Sequence, residues 1–512
     1  MKKAFLFIAL AVIAFSAMAQ DNSRRTVIVG EVSGKNASVV KYQMLCGLAS
    51  TTRLNIFDSR QYNKLPQVMR DAIQPDALFT AQVDSIVTRK VTLRTTDHNG
   101  KPYTKWESYS YITLQVRDPK TNAVRTTTRL KGAGSHSTSA DEAEAAAMLT
   151  IANDLNAFID NYYVVRGEIV SLNEVNGNKA KTVTINLGSA ASVYGNMQFS
   201  VYNGKEEIGS IQMKEINSST KSTCKVTKGA EAIKNAIEEG TTLTVVSHGL
   251  DLINELLTIE KTTSAIVSEP KPDCNKMHTI LYTGAVGNSR ANAAIDQIMY
   301  QELRETERLY ALTLEQYNSL SADQRNSLVI DGLLTATLGD CRTEREPGEG
   351  YTSYTTKVDW LFLLTDIKTG EILYSDFSTA SGLSIDSEAK SIEKAANMVA
   401  VKMDYLVDKA YPIYTTITTL DEVKKDKVKT VTIGVGSSSP VYKGMKLQVY
   451  VLNTEGEWTS IGELKVKEIT GTESASCSVS SGAAEIYKAF EESGVTRVVT
   501  KPKSLLGGLL KF

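Results

Sequence analysis

The sequence predicts an α+β protein made of two tandem copies of one unit, each an α/β sandwich domain followed by a small β-barrel domain. Three observations carry this prediction. The stretch "TVTINLGSAASVYGNMQFSVY" from Thr182 and the stretch "TVTIGVGSSSPVYKGMKLQVY" from Thr430 agree at 11 of 21 positions. The match continues elsewhere: "RLNIFDSRQYNKL" from Arg53 answers "RLYALTLEQYNSL" from Arg308, and "DALFTAQV" from Asp76 answers "DGLLTATL" from Asp331, with an offset that stays between 248 and 255. A self-match at a nearly fixed offset is the signature of a repeated structural unit. Within each unit, alternating helix and strand patterns give way to short strands of period two.

The expected order is a signal peptide (1–19), an α/β domain (20–161), a β-barrel with a terminal helix (162–257), a linker (258–276), a second α/β domain (277–409) and a second barrel with a terminal helix (410–512). Lys2 and Lys3 precede the apolar run "AFLFIALAVIAF", and "AMA" supplies small residues for cleavage between Ala19 and Gln20. No Cys follows the apolar run, so a lipid anchor is not expected. The linker carries Pro270 and Pro272 among polar residues.

Each element of the α/β domain has its own signal. "TVIVGEVSG" (26–34) reads as an apolar strand, and Val39, Val40, Met44 and Leu48 mark the helix after it. "RLNIFDS" is a short second strand. "DALFTAQVDSIVTRKVTLR" and "WESYSYITLQVRDPKTN" read as long paired strands joined by the turn "TTDHNGKPYTK". Met148, Ile151, Ala152, Leu155, Phe158 and Ile159 form one apolar stripe at helical spacing, which predicts a single long helix. Val399, Met403, Leu406 and Val407 repeat it. Ser137, Thr138 or Ser139 is expected to cap the first of these helices near Asp141.

The barrel reads from alternation. Val183, Ile185 and Leu187 are expected inside, with Thr182 and Thr184 facing solvent; Val431, Ile433 and Val435 repeat the pattern. Phe199, Val201, Ile211 and Met213 answer Leu447, Val449, Leu464 and Val466. Asn196 stands where Gly444 stands, and both residue types tolerate a left-handed backbone. Each unit closes on a short amphipathic segment, "GLDLINELL" and "SLLGGLLKF", expected to dock on its own barrel.

Composition bounds the function. A net charge of −1 gives no reason to expect a nucleic-acid partner. The four histidines, His98, His136, His248 and His278, show no metal-motif spacing, and no metal or cofactor is expected. "GAGSHS" (132–137) lacks the Lys of a phosphate loop, and no nucleophile elbow accompanies its Ser and His. Five cysteines lie far apart; Cys224 and Cys477 occupy matching positions and read as small buried residues. Asp58 and Arg60 face Thr313 and Glu315 across the repeat, Asp84 faces Gly339, and Tyr62 matches Tyr317, so the expectation is that packing was kept while charges changed. No catalytic residue is expected.

The first part of each unit resembles the periplasmic domain of the CsgG family, the curli secretion-channel proteins. The features that carry this are "DSRQYNKL", "DALFTAQV", the turns in "LQVRDPKTN" and "LLTDIKTGEIL", and the closing Ala-rich helix. The second part is similar to the C-terminal barrel of the flagellar-assembly protein FlgT, through "LGSAASVYGNMQFSVY" and "VGSSSPVYKGMKLQVY". The resemblance implies an exported, non-enzymatic protein of the periplasm, peripheral to the outer membrane, that binds envelope proteins or a surface polymer and is able to oligomerise. A secretion-pore component is the second reading, and a hydrolase using carboxylates is the third. Against the pore, Arg89 sits mid-strand on the face Val83, Ser85, Val87, Val91 and Leu93, where lipid contact would cost roughly 2–4 kcal/mol. That face is expected to pack on protein.

Overall fold

The computed structural model describes residues 25–51, 53–94, 102–248, 275–287, 290–306, 308–452, 458–493 and 496–502. The cleavage site at Ala19 and Gln20, the linker up to Cys274, the turn bearing His98 and both terminal amphipathic segments lie outside the described residues. The chain divides into two compact units. One comprises residues 1–59 and 75–266; the other comprises 60–74 and 267–512.

The first unit opens on β1 (Thr26–Ser33), α1 (Ala37–Thr51) and β2 (Asn55–Asp58). After α2 (Ser59–Tyr62) and α3 (Gln67–Ile73), three long strands follow: β3 (Ala77–Arg94), β4 (Pro102–Arg117) and β5 (Val124–His136). The sheet runs β2-β1-β3-β4-β5, parallel through β1 and antiparallel beyond. Val27, Val29, Phe79, Ile112, Leu114 and Leu130 are buried in it, and Met44, Leu48, Ile151, Leu155 and Ile159 are buried on the helices.

The predicted long helix is two: α4 (Ala140–Leu149) and α5 (Ile151–Tyr162). The break has a purpose at Thr150. Its Oγ1 accepts from Ala133 N at 2.8 Å and donates to Ala133 O at 3.0 Å, on the free side of edge strand β5. Ser139 is the cap, its side chain accepting from Glu142 N. "GAGS" is strand and not loop. A Cβ on Gly132 would lie 1.9 Å from Ala147 O, and one on Gly134 would lie 2.3 Å from Ala147 N. These glycines let α4 rest directly on the sheet.

A second correction concerns β3. A bulge between Val83 and Ser85 shifts the register, so Val83 is buried on one face while Val87 is 50% exposed on the other. The six residues grouped by simple alternation therefore do not share a face.

The first barrel follows: β6 (Arg166–Asn176), β7 (Lys179–Ile185), β8 (Gln198–Asn203), β9 (Glu206–Ile216), β10 (Ser222–Lys228), α6 (Ala230–Glu238) and β11 (Leu243–His248). It closes in the order β10-β7-β6-β11-β8-β9. Val183, Ile185, Leu187, Phe199, Val201, Ile211 and Met213 form its core. Thr182 is buried too, contrary to expectation, because Glu174 and Lys225 pair with it directly from the two flanking strands. Asn196 has φ +66° and Gly444 has φ +96°, as the turn requires.

The second unit has β12 (His278–Val286), α7 (Asn292–Glu305), β13 (Leu309–Thr313), α8 (Leu314–Ser319), α9 (Ala322–Ser327), β14 (Gly332–Gly348), β15 (Tyr351–Asp366), β16 (Ile372–Ser384) and α10 (Glu388–Ala410). The sheet order is β13-β12-β14-β15-β16. Its last part holds β17 (Tyr414–Thr415), β18 (Ile417–Val423), β19 (Val428–Ile433), β20 (Lys446–Leu452), β21 (Trp458–Ile469), β22 (Ala475–Ser481), α11 (Ala483–Ser493) and β23 (Thr496–Thr500). These strands make a seven-stranded half-barrel, β17-β23-β20-β21-β22-β19-β18, whose strand order stays open where a closed second barrel was expected. Its two ends are halves of one stretch that changes neighbours at Thr416. In β6 the same exchange occurs without a break: Arg166, Gly167 and Glu168 pair with β11, and Ile169 onward pairs with β7.

Residues 60–74 belong to this second unit. Gln61, buried, donates from Nε2 to Ala336 O at 3.0 Å. Leu65 and Met69 are buried, as are Leu333, Leu361 and Leu363 on the sheet face opposite α7 and α10. A fragment spanning 275–512 is therefore expected to melt below the same fragment fused to residues 60–74, because it bares that apolar face. Equal melting temperatures by calorimetry would remove the segment from the unit's core.

Candidate binding surface

The residues singled out in the sequence do not converge. His136 ends β5, and its Nδ1 accepts from Ser139 N at 3.2 Å beside the helix cap. His278 stacks on Tyr411 with ring centroids 4.1 Å apart and lies 3.5 Å from Asp331. The side chain of His248 lies outside the described residues. Cys224 and Cys477 are fully buried in their separate barrels, and burial pushes both thiols up to about 12, with Asp421 adding to the effect at Cys477. Tyr62 donates to Arg70 O at 3.3 Å. Among the described residues no group of three or more His, Cys, Asp or Glu side chains is placed to hold a metal ion.

Charges that change between the matched stretches do so where expected. Asp58 pairs with Lys41 at 2.9 Å, both buried, while Thr313 in the matching place caps α8. Other charges are kept, which the sequence comparison missed. Arg53 pairs with Asp160 at 3.1 Å, and Arg308 pairs with Asp408; all four are buried. Each arginine also donates to a backbone carbonyl at the C-terminal end of the helix that carries its aspartate, Tyr163 O after α5 and Tyr411 O after α10. The Tyr194 hydroxyl donates to Asp160. Burial, reinforced by the Asp160 carboxylate, holds that phenol well above its ordinary value, so it serves as a donor. Asp76 and Asp331 likewise accept from the first strand's Thr26 N (2.8 Å) and Thr279 N (3.0 Å). These pairs tie the ends of helices and strands together inside each unit.

The surface with chemical character is the open face of the β3–β4–β5 hairpins. Beyond the bulge, Ser85, Val87 and Arg89 lie opposite Tyr111, Tyr109 and Glu107, which in turn lie opposite Lys131, Ala133 and Ser135. The Arg89 guanidinium sits 5.7 Å from the centroid of Tyr109, and the Lys131 ammonium sits 5.1 Å from the same ring. The Arg129 guanidinium lies 4.8 Å from the centroid of Tyr111. Glu107 bridges Lys105 and Arg89, both at 3.1 Å, and hydrogen bonds from these two hold its carboxyl below the usual range. Stacking on a ring fixes a flexible cation while its N–H groups stay available. The face thus presents pre-ordered donors and aromatic edges to solvent. Val83 before the bulge is buried as expected, but Val87 beyond it is 50% exposed and Arg89 63%, so among the described residues nothing packs over the distal part of this face. Alternation in "YSYITLQVR" holds the signal for this face, once the bulge in β3 is known.

No family model matches the chain, and no curated protein matches it. Similar solved structures include bacterial lipoproteins. A minor lipoprotein from Acinetobacter baumannii shares 12% identity, with 27% of this chain and 94% of that chain covered and a TM-score of 0.18. Lipoprotein GNA1162 from Neisseria meningitidis shares 14% identity over 25% of this chain and 97% of that chain, at TM-score 0.17. A lipoprotein from Caulobacter crescentus shares 16% over 25% and 87%, also at 0.17. Likeness at this level carries no argument about activity. Among the described residues no helix is long and apolar enough to cross a membrane.

Proposed function

We propose that this chain is an exported, non-enzymatic protein of the bacterial cell envelope, a tandem duplication of a CsgG-like α/β domain and a FlgT-like barrel. It binds protein partners or a surface polymer in the periplasm, next to the outer membrane. The observation that supports this is the open face of Tyr109, Tyr111, Arg89, Arg129 and Lys131, whose cations are ordered over rings and exposed to solvent. A pore reading is disfavoured by the same face. Both sides of the distal β3–β4 hairpin carry cations, Arg89 and Lys105 on one and Lys90 over Trp106 on the other, which leaves no apolar band for lipid.

The test is cross-linking and pull-down from the native envelope with the wild-type chain and with the triple variant Tyr109→Ala, Tyr111→Ala, Arg129→Ala. Partners recovered with the wild type are expected to be depleted at least tenfold with the variant, while circular dichroism of the two stays the same. Identical recoveries would place the binding surface elsewhere. Intact-mass measurement is expected to show a mature start at Gln20.

A further inference from the structure

The two α/β sheets end on edge strands that are treated in opposite ways. In the first, β5 carries Arg125, Arg129 and Lys131, and α4–α5 closes its free side. Lys131 N donates to Asp154 Oδ2 at 2.8 Å, and Ala133 N donates to Thr150 Oγ1 at 2.8 Å. Charge and cover are two standard ways of preventing edge-to-edge pairing.

The matching strand β16, "ILYSDFSTASGLS", has neither protection. Ser139 and Ser387 cap matching helices, so Met398 stands where Thr150 stands and Lys402 where Asp154 stands. Neither methionine nor lysine supplies a carboxylate or hydroxyl acceptor. The helix α10 runs unbroken past this edge. Thr379 and Ser381 match Lys131 and Ala133 in register against the central strand, since Val358 pairs with Ala380 where Ser110 pairs with Gly132. Among the described residues no acceptor meets Thr379, Ser381 or Leu383 on the free side. The only charge in the strand, Asp376, is buried, and the strand contains no Pro, Lys or Arg. Leu383 is 58% exposed, and Ile385 just beyond it is 63% exposed.

We propose that β16 is a pairing edge whose occupant is β16 of a second copy of this chain, joined antiparallel about a two-fold axis. An isologous contact sets each strand against itself reversed, so a strand whose one charge is buried brings no exposed like charges together there. The product is one continuous sheet of ten strands from two five-stranded sheets. This goes beyond the envelope-binding reading and does not depend on it.

The test uses the full mature chain. Sedimentation velocity from about 1 to 100 μM is expected to show a monomer–dimer equilibrium, and hydrogen exchange at Thr379, Ser381 and Leu383 is expected to slow at least tenfold at the upper concentration. Ser381→Pro removes one edge donor at a position where no internal bond is lost. Thr379→Lys sets like charges across the two-fold. Each variant is expected to be monomeric throughout while melting within a few degrees of wild type. A wild type monomeric at every concentration overturns the proposal. So does a dimer that persists in both variants, or one whose β16 amides exchange at the monomer rate. If Ser381→Pro fails to fold, Thr379→Lys and the exchange data decide alone.

Discussion

Arg53→Ala is expected to destabilise the first unit by about 3–5 kcal/mol, because it leaves a buried carboxylate without its counter-ion. Asp160 is 1% exposed, and the Tyr194 hydroxyl that also donates to it is neutral and does not replace the lost charge. The loss is not confined to the ion pair. Arg53 also supplies donors to Tyr163 O and Ser192 O, so one side chain ties the end of α5 to the first barrel. The double replacement Arg53→Met with Asp160→Leu is expected to cost less than Arg53→Ala alone, since no charge is then stranded. Arg308→Ala is expected to act in the same way on the second unit through Asp408. Two units in one chain make a single unfolding free energy ill-defined. The measurement is therefore hydrogen exchange followed separately in residues 102–248 and 308–452. A loss below about 1 kcal/mol in the first segment would show that water or rearrangement compensates the carboxylate.

The second large effect is Ile185→Asp. Ile185 is fully buried in the first barrel's core, between Ile169 and Ser222 on the adjoining strands. An unpaired carboxylate there is expected to cost about 4–5 kcal/mol or more. Thr184→Asp, one residue away, points outward, where the Thr184 hydroxyl accepts from Asn173 Nδ2 at 2.7 Å and donates to Asn173 Oδ1 at 3.0 Å. Its cost is expected to be near 1 kcal/mol, because a carboxylate can still accept from Asn173 Nδ2 and only the donated, exposed hydrogen bond is lost. The pH dependence of the Ile185 variant has a definite sign. Burial raises a folded-state carboxyl above its unfolded value of about 3.9, so the folded form binds more protons and the deficit grows as pH rises through that value. Equal melting temperatures for the two variants at pH 7 would overturn the assigned register.

The strands were legible because their signal is local. Alternation at Val183, Ile185 and Leu187 needs no knowledge of the neighbours, and the inward residues follow from it. Thr182 was not legible, since its burial depends on Glu174 and Lys225, which arrive from other strands. The same holds for the break at Thr150: the helical stripe runs through it, and only an edge strand some 17 residues earlier supplies the reason. The bulge after Val83 inverted the reading of the candidate surface, because one extra residue moves every later side chain to the other face. The kept arginine–aspartate pairs were visible as matched letters at Arg53 and Arg308. Their partners lie 107 and 100 residues away, beyond any spacing rule.

The two barrel cysteines give the chain a pair of internal clocks. A thiol held near 12 is almost wholly protonated at neutral pH, and it is also shut away from reagents in the closed state. Alkylation at Cys224 or Cys477 must wait for its own barrel to open. Under excess iodoacetamide the rate at each site then reports how often that barrel breathes, without any engineered label. Peptide mass mapping reads the two rates from one sample. A difference between them would measure directly what the break at Thr416 does to the dynamics of the second barrel relative to the first.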